Sequence, residues 1–199
     1  GRPGPVLLDI PKDVQLASCD YEPFTEEIRL PGYRPEPILS DEQLQDALEL
    51  IHNSKRPLIL AGHGVTMAQA ERELIEFVNK TRIPVAQTLL GLGNFPTTNP
   101  MCLGLMGMHG EAYVNKAIQE ADLLLAFGMR FDDRVTGKVN TFAKQAKIVH
   151  IDVDPAEISK LVETHVPVVG YLRDVLPRLE NELETLELSD WWTKLNDWK

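Results

Sequence analysis

Two arginines and two aspartates, Arg130, Asp132, Asp133 and Arg134, fall within five residues of one another. Charges that dense are costly to bury unpaired, so they pair with each other or face a charged ligand. Spacing alone leaves both readings open: a solvated loop with internal ion pairs, or a loop that meets an anion. The apolar run at 121–126 precedes them and reads as a strand buried on both faces, with Gly128 opening the backbone after it. The carboxyl end of a strand is where an open α/β sheet binds its ligands.

Glycines recur in the same relation to apolar runs: Gly62 and Gly64, Gly91 and Gly93, Gly107 and Gly110, Gly128, and Gly170. Glycine lets a phosphate or a ring approach the backbone, and a helix start beyond it offers N–H groups to an anion. One such turn is weak evidence, since glycines end strands in most α/β folds. Four or five on one sheet edge favour a nucleotide. The fingerprint for a nicotinamide dinucleotide is nevertheless poor. Residues 62–67 lack its third glycine, and the following strand ends in Gln87 and Thr88, not in an acid. Asp152, at the end of a later strand, is the better partner for a ribose. A generic Rossmann dehydrogenase is therefore disfavoured. His52, His150 and His165 have no partner in the sequence and receive no role, and no metal cluster or nucleophilic triad can be assembled.

The elements that must position these residues alternate. Ser40 and Gln43 make a capping box ahead of a helical stripe of Leu44, Ala47, Leu48 and Ile51. Strands are expected at 57–61, 83–87, 121–126, 147–152 and 166–169, with a short ambiguous run at 101–105. Helices are expected with Met67, Leu74, Ile75 and Val78 on one face, with Val114, Ala117, Ile118 and Ala121 on another, and with Val175, Leu176, Leu179, Leu183 and Leu186 on the closing one. A short helix is expected at 141–145, and Asp154, Pro155 and Glu157 read as the start of another. Strand then helix, repeated, predicts a doubly wound α/β fold with a mainly parallel sheet of about six strands and helices on both faces.

The 199 residues suit one ordinary domain with a loose arm. A net charge of −10 argues against nucleic acid as partner. No apolar run is long enough to span a bilayer, and the two distant cysteines, Cys19 and Cys102, read as reduced thiols of a cytoplasmic-type protein. Residues 15–39 are polar and proline-rich, an interdomain linker. The compact domain spans 40–188. Residues 189–199, with Trp191, Trp192 and Trp198, are either a linker to a further domain or a helix end folded back on its own core.

Five segments, Gly1–Val14, Thr88–Gly93, Leu105–Gly110, Arg130–Lys138 and Val149–Ile158, resemble the acetolactate synthase (acetohydroxyacid synthase) family, catalytic large subunit, in order and spacing over most of the chain. The resemblance implies a three-domain enzyme of which this is the middle, FAD-binding domain. Residues 1–14 would then be a remnant of the preceding thiamine-pyrimidine domain, its orphaned strand at 5–10 mobile or docked on a neighbour. Residues 189–199 would lead to the third domain. The implied FAD contacts are Arg2, Gly62, His63, Gly64, Thr88, Leu89, Leu90, Met106, Gly107, Met108, His109, Gly128, Met129, Arg130, Phe131, Asp132, Asp152 and Val153. Tyr171 completes the set in place of the family's usual aspartate. Lys12, Met108, His109, Asp133 and Arg134 would line the substrate and inhibitor channel, though Asp133 and Arg134 also read as a structural ion pair.

The family joins two pyruvates, or pyruvate and 2-ketobutyrate, on thiamine diphosphate and Mg²⁺ held by the other two domains. The resemblance thus implies 2-ketoacid substrates, a homodimer or homotetramer, a possible regulatory small subunit, and cytoplasmic or organellar location. The chain by itself is expected to be inactive and to hold flavin weakly or not at all. Two rivals are the middle domain of a flavin-free thiamine enzyme and a stand-alone nucleotide-binding module.

Overall fold

The computed structural model describes residues 3–23, 25 and 39–199, and the chain divides into two compact units, Gly1–Glu36 and Pro37–Lys199. In the first unit, residues 3–11 are without helix or strand. Their apolar side chains lie in solvent, Leu7 and Val6 among the most exposed. A single helical turn follows, α1 (Lys12–Leu16), where the Gln15 side chain donates to the Ile10 carbonyl at 2.6 Å.

The second unit is built on six parallel strands: β1 (Pro57–Ala61), β2 (Val85–Gln87), β3 (Cys102–Leu105), β4 (Leu123–Phe127), β5 (Lys147–Asp152) and β6 (Val166–Val169). Their order is β3-β2-β1-β4-β5-β6, every neighbouring pair parallel. The fold is the doubly wound α/β fold expected from the alternation of elements. Every residue of β1 and β4 is buried, which is why both strands are continuous apolar runs. Helices cover them: α2 (Asp41–Asn53) and α4 (Glu71–Thr81) pack with α7 (Leu172–Glu182), and α5 (Ala112–Glu120) packs with α8 (Ser189–Trp198). The Ser40 hydroxyl accepts from Gln43 N and caps α2 as its spacing predicts.

Three local expectations are corrected. Met67 does not share a face with Leu74 and Val78, because the helix breaks into α3 (Gly64–Met67) and α4 at Gln69, whose φ is +52°. Met67 consequently faces solvent. The cap at Asp154 does form, its Oδ1 accepting from Ala156 N at 3.0 Å, yet the chain beyond it continues as turns. Ser159 there has φ +57°, which interrupts a right-handed helix. Near residue 141 a 3-10 turn, Val139–Thr141, stands in place of the short helix, with Ala143 at φ +42°.

Residues 189–198 form α8 on the body of this unit. Trp191 and Leu195 are buried, and the Trp191 indole donates to the Pro57 carbonyl at 3.0 Å. Among the described residues no helix is long and apolar enough to cross a membrane.

Candidate functional site at the carboxyl edge of the sheet

Because all six strands run the same way, the segments that leave them share one edge. That edge collects Gly62–Gly64 after β1, Thr88–Leu90 after β2, Met106–His109 after β3, Gly128–Arg134 after β4, Asp152 and Val153 at the end of β5, and Tyr171 after β6. The backbone ladder continues past the strands. Thr88 N donates to Ala61 O, Met106 N to Gln87 O, Gly62 N to Phe127 O, Gly128 N to Ile151 O and Gly170 N to Asp152 O, all between 2.9 and 3.0 Å. The loops are therefore held in register by the sheet itself.

Sequence order reverses between β1 and β4, so the edge has its crevice there. The loops on its two sides touch backbone to backbone. Gly64 N donates to Gly128 O at 2.8 Å. A Cβ on Gly62 would lie 2.4 Å from Gly128 O, and one on Gly64 would lie 2.5 Å from Gly128 Cα. Gly128 itself has φ +55°. The glycines at this junction are thus required by the approach of one loop to the other.

The loop after β3 docks on α6 (Asp133–Thr136). Met108 N donates to Arg134 O at 2.8 Å, and a Cβ on Gly107, whose φ is +93°, would lie 2.5 Å from that same oxygen. Asp132 caps α6 by accepting from Arg134 N at 3.1 Å. Its other oxygen lies 3.8 Å from Arg130, a loose pair whose guanidinium is half exposed. Asp133 and Arg134 are exposed, and the Arg134 guanidinium leans on Met108 Sδ at 3.6 Å. His109 is also exposed. Thr88 caps the 3-10 turn Leu89–Gly91, accepting from Gly91 N, and His63 Nδ1 lies 3.0 Å from Leu90 O. Leu89 and Leu90 are 65% and 68% exposed and Met108 is 57% exposed, an unusual apolar presence on a charged edge.

Asp152 is mostly buried. Its Oδ1 accepts from Asp154 N at 2.9 Å, and its Oδ2 lies 4.0 Å from His150 Nε2. Burial pushes the carboxyl above the usual carboxylate range, against the pull of Asp154 N and His150. Burial likewise holds His150 below the usual imidazole range.

Two expected residues are not among the described residues of this unit. Arg2 lies outside the described residues, and Lys12 starts α1 in the other unit.

Sequence reasoning missed the polar residues that brace the loops. Asn115 grips the Gly107 peptide from both sides, donating to its oxygen and accepting from its nitrogen at 2.8 Å each. Asn94 donates to Gly62 O at 2.7 Å and accepts from Thr66. Gln87 is spent on Phe95 N and O. These partners lie 8 to 32 residues away, at separations that match no local capping or helical spacing. A cleft of about 370 Å³ lies at the opposite edge, lined by Arg82, Met101, Trp192 and Asn196 among others, and is remote from these loops. Among the described residues no group of three or more His, Cys, Asp or Glu side chains could hold a metal ion.

The family model described as thiamine pyrophosphate enzyme, central domain, matches residues 44–179. The chain is similar to the acetolactate synthase large subunit of Corynebacterium glutamicum, 48% identical over 196 residues, covering 96% of this chain and 31% of the relative. It is similar to the acetolactate synthase isozyme 2 large subunit of Escherichia coli K12, 44% identical over 197 residues, covering 99% of this chain and 35% of the relative. It is also similar to the chloroplastic acetolactate synthase 2 of Nicotiana tabacum, 49% identical over 191 residues, covering 94% and 28%. The chain spans about a third of the length of the curated relatives it matches.

Proposed function

This chain belongs to the thiamine pyrophosphate enzyme central-domain family, with acetolactate synthase large subunits as relatives, and we propose that it is the FAD-binding middle domain of such an enzyme. The observation that carries the proposal is the edge itself. One acceptor, one half-free cation and an exposed apolar group lie on loops that a single parallel sheet aligns.

The residues fit an adenine–flavin dinucleotide by their chemistry. Asp152 accepts from adenosine or ribose hydroxyls. Arg130 offsets diphosphate charge, because its nearest acid is loose enough to yield. Leu89, Leu90 and Met108 offer exposed apolar cover to the ring, Met106 is buried in the core, and the backbone of Gly128–Asp132 would line the space between. Tyr171 and Val153 border the adenosine side. Arg134, whose guanidinium leans on Met108, would attract the carboxylate of a 2-ketoacid, with Asp133 and His109 as further channel residues.

In the intact enzyme, thiamine diphosphate with Mg²⁺, held outside this domain, supplies the chemistry that joins pyruvate to a second pyruvate or to 2-ketobutyrate. The domain's own work is to bind, orient and exclude water at its edge. Assembly as a homodimer or homotetramer, a regulatory small subunit, and a cytoplasmic or organellar setting belong to the same proposal. Residues 1–14, 15–39 and 189–199 are read within it as the end of a preceding domain, a linker, and a connection toward a third domain.

The test is a calorimetric titration of the intact protein containing this chain with FAD, NAD and ADP, with flavin fluorescence as a second readout for FAD. FAD binding that weakens about tenfold or more in an Arg130→Ala variant is expected, as for loss of a charge-assisted bond. Binding of NAD with indifference to FAD would overturn the proposal.

A further inference from the structure

We propose that His150 is a positioning residue that latches the loop after β4 through one hydrogen bond, His150 Nε2 to the Met129 carbonyl. The proposal rests on the reading of that loop as the dinucleotide seat.

His150 sits in the middle of β5, fully buried, with its ring against the loop. Nε2 lies 2.9 Å from Met129 O. A carbonyl oxygen can only accept, so Nε2 carries the proton. The neutral ring then has a bare lone pair on Nδ1, and Nδ1 is buried without a partner. That arrangement agrees with a histidine kept neutral by burial, although Asp152 and Glu157 favour its charged form. Phe131, two residues beyond the accepting carbonyl, meets the imidazole edge to face at 5.3 Å between centroids.

The loop needs such a hold. Met129 is 3% exposed, so its carbonyl, if freed, would be a buried acceptor cut off from water. Upstream, Gly128 is fixed by Ile151 O and by Gly64 N. Downstream, Asp132 O accepts from Val135 N and Thr136 N and so starts α6. Between these anchors lie Met129, Arg130 and Phe131. Among the hydrogen bonds described, the His150 bond is the one that ties this central span back to the sheet. It thereby sets where Arg130 projects from.

The test compares His150→Gln, which keeps an amide donor, with His150→Phe, which keeps the ring volume beside Phe131 and deletes the donor. In the intact protein, H150F is expected to weaken FAD about tenfold, while H150Q stays within about twofold of wild type. Amide exchange at Val135, Thr136 and Gly137 should quicken in H150F alone. Wild-type affinity and exchange in H150F, or equal losses in both variants, would overturn the latch. Should the wild-type protein bind no FAD, the dinucleotide reading falls, and the exchange contrast between the two variants still decides the latch. Should H150F fail to fold, nitrogen NMR of the wild-type histidine decides it: a proton on Nε2 supports the latch and a proton on Nδ1 refutes it.

Discussion

Asp152, proposed above as an acceptor for the dinucleotide, is a buried carboxyl that costs stability when ionised. Its carboxyl is raised by burial, so the folded chain holds that proton more tightly than the unfolded chain does. Ionisation therefore opposes folding. The penalty is absent below the ordinary carboxylate value, grows as pH rises through the raised one, and is complete above it. Asn at this position keeps the Oδ1 that accepts from Asp154 N and loses the buried charge. Asp152→Asn is expected to raise Tm at pH 8, with the advantage shrinking as the pH falls through the raised value toward the ordinary carboxylate range. The same change should weaken FAD about tenfold, because a charged acceptor becomes a neutral one. Thermal melts across pH and a flavin titration check the two halves. The place of Asp152 at the end of a strand was legible in the sequence. His150, two residues before it, was not, because its partner Met129 lies on another strand's loop.

Elements were read well where periodicity is strong and poorly where backbone geometry decides. The runs that became β1, β4 and β5 are apolar because both sheet faces are covered. The single helix expected from Met67 to Val78 failed at Gln69, whose left-handed backbone no hydrophobic pattern announces. The glycine turns were found, but their reason was only half legible: spacing suggested room for a ligand, while the structure shows one loop pressed on another. This difference is testable at Gly64. Its added Cβ would meet the Gly128 backbone, which cannot swing aside. Gly64→Ala is expected to cost about 1–3 kcal/mol, the usual range for overpacking, in protein free of any ligand. Urea denaturation would show a lower midpoint at unchanged slope. A glycine kept only to admit a phosphate would leave the ligand-free midpoint where it was.

For the whole molecule, the sheet order brings β1 and β4 side by side and sets the crevice between their loops, a juxtaposition that strand counting alone could not give. The tail was equally undecidable from sequence, since exposed and buried tryptophans look alike there. In the structure Trp191 closes over the amino end of β1 while Trp198 stacks edge-on against it. The chemistry of the proposed enzyme calls for more than its middle domain. The family resemblance implies that thiamine diphosphate and its metal are held by a Gly-Asp-Gly pattern in the third domain, and in this sequence glycine and aspartate are never adjacent. Asp133, Arg134 and His109, proposed above to line the channel, are exposed. We therefore expect the chain by itself, supplied with thiamine diphosphate, Mg²⁺, FAD and pyruvate, to form no acetolactate, while the intact protein containing it does. A colorimetric acetoin assay on both samples checks this, and carboligation by the 199 residues alone would show that the catalytic machinery lies within them.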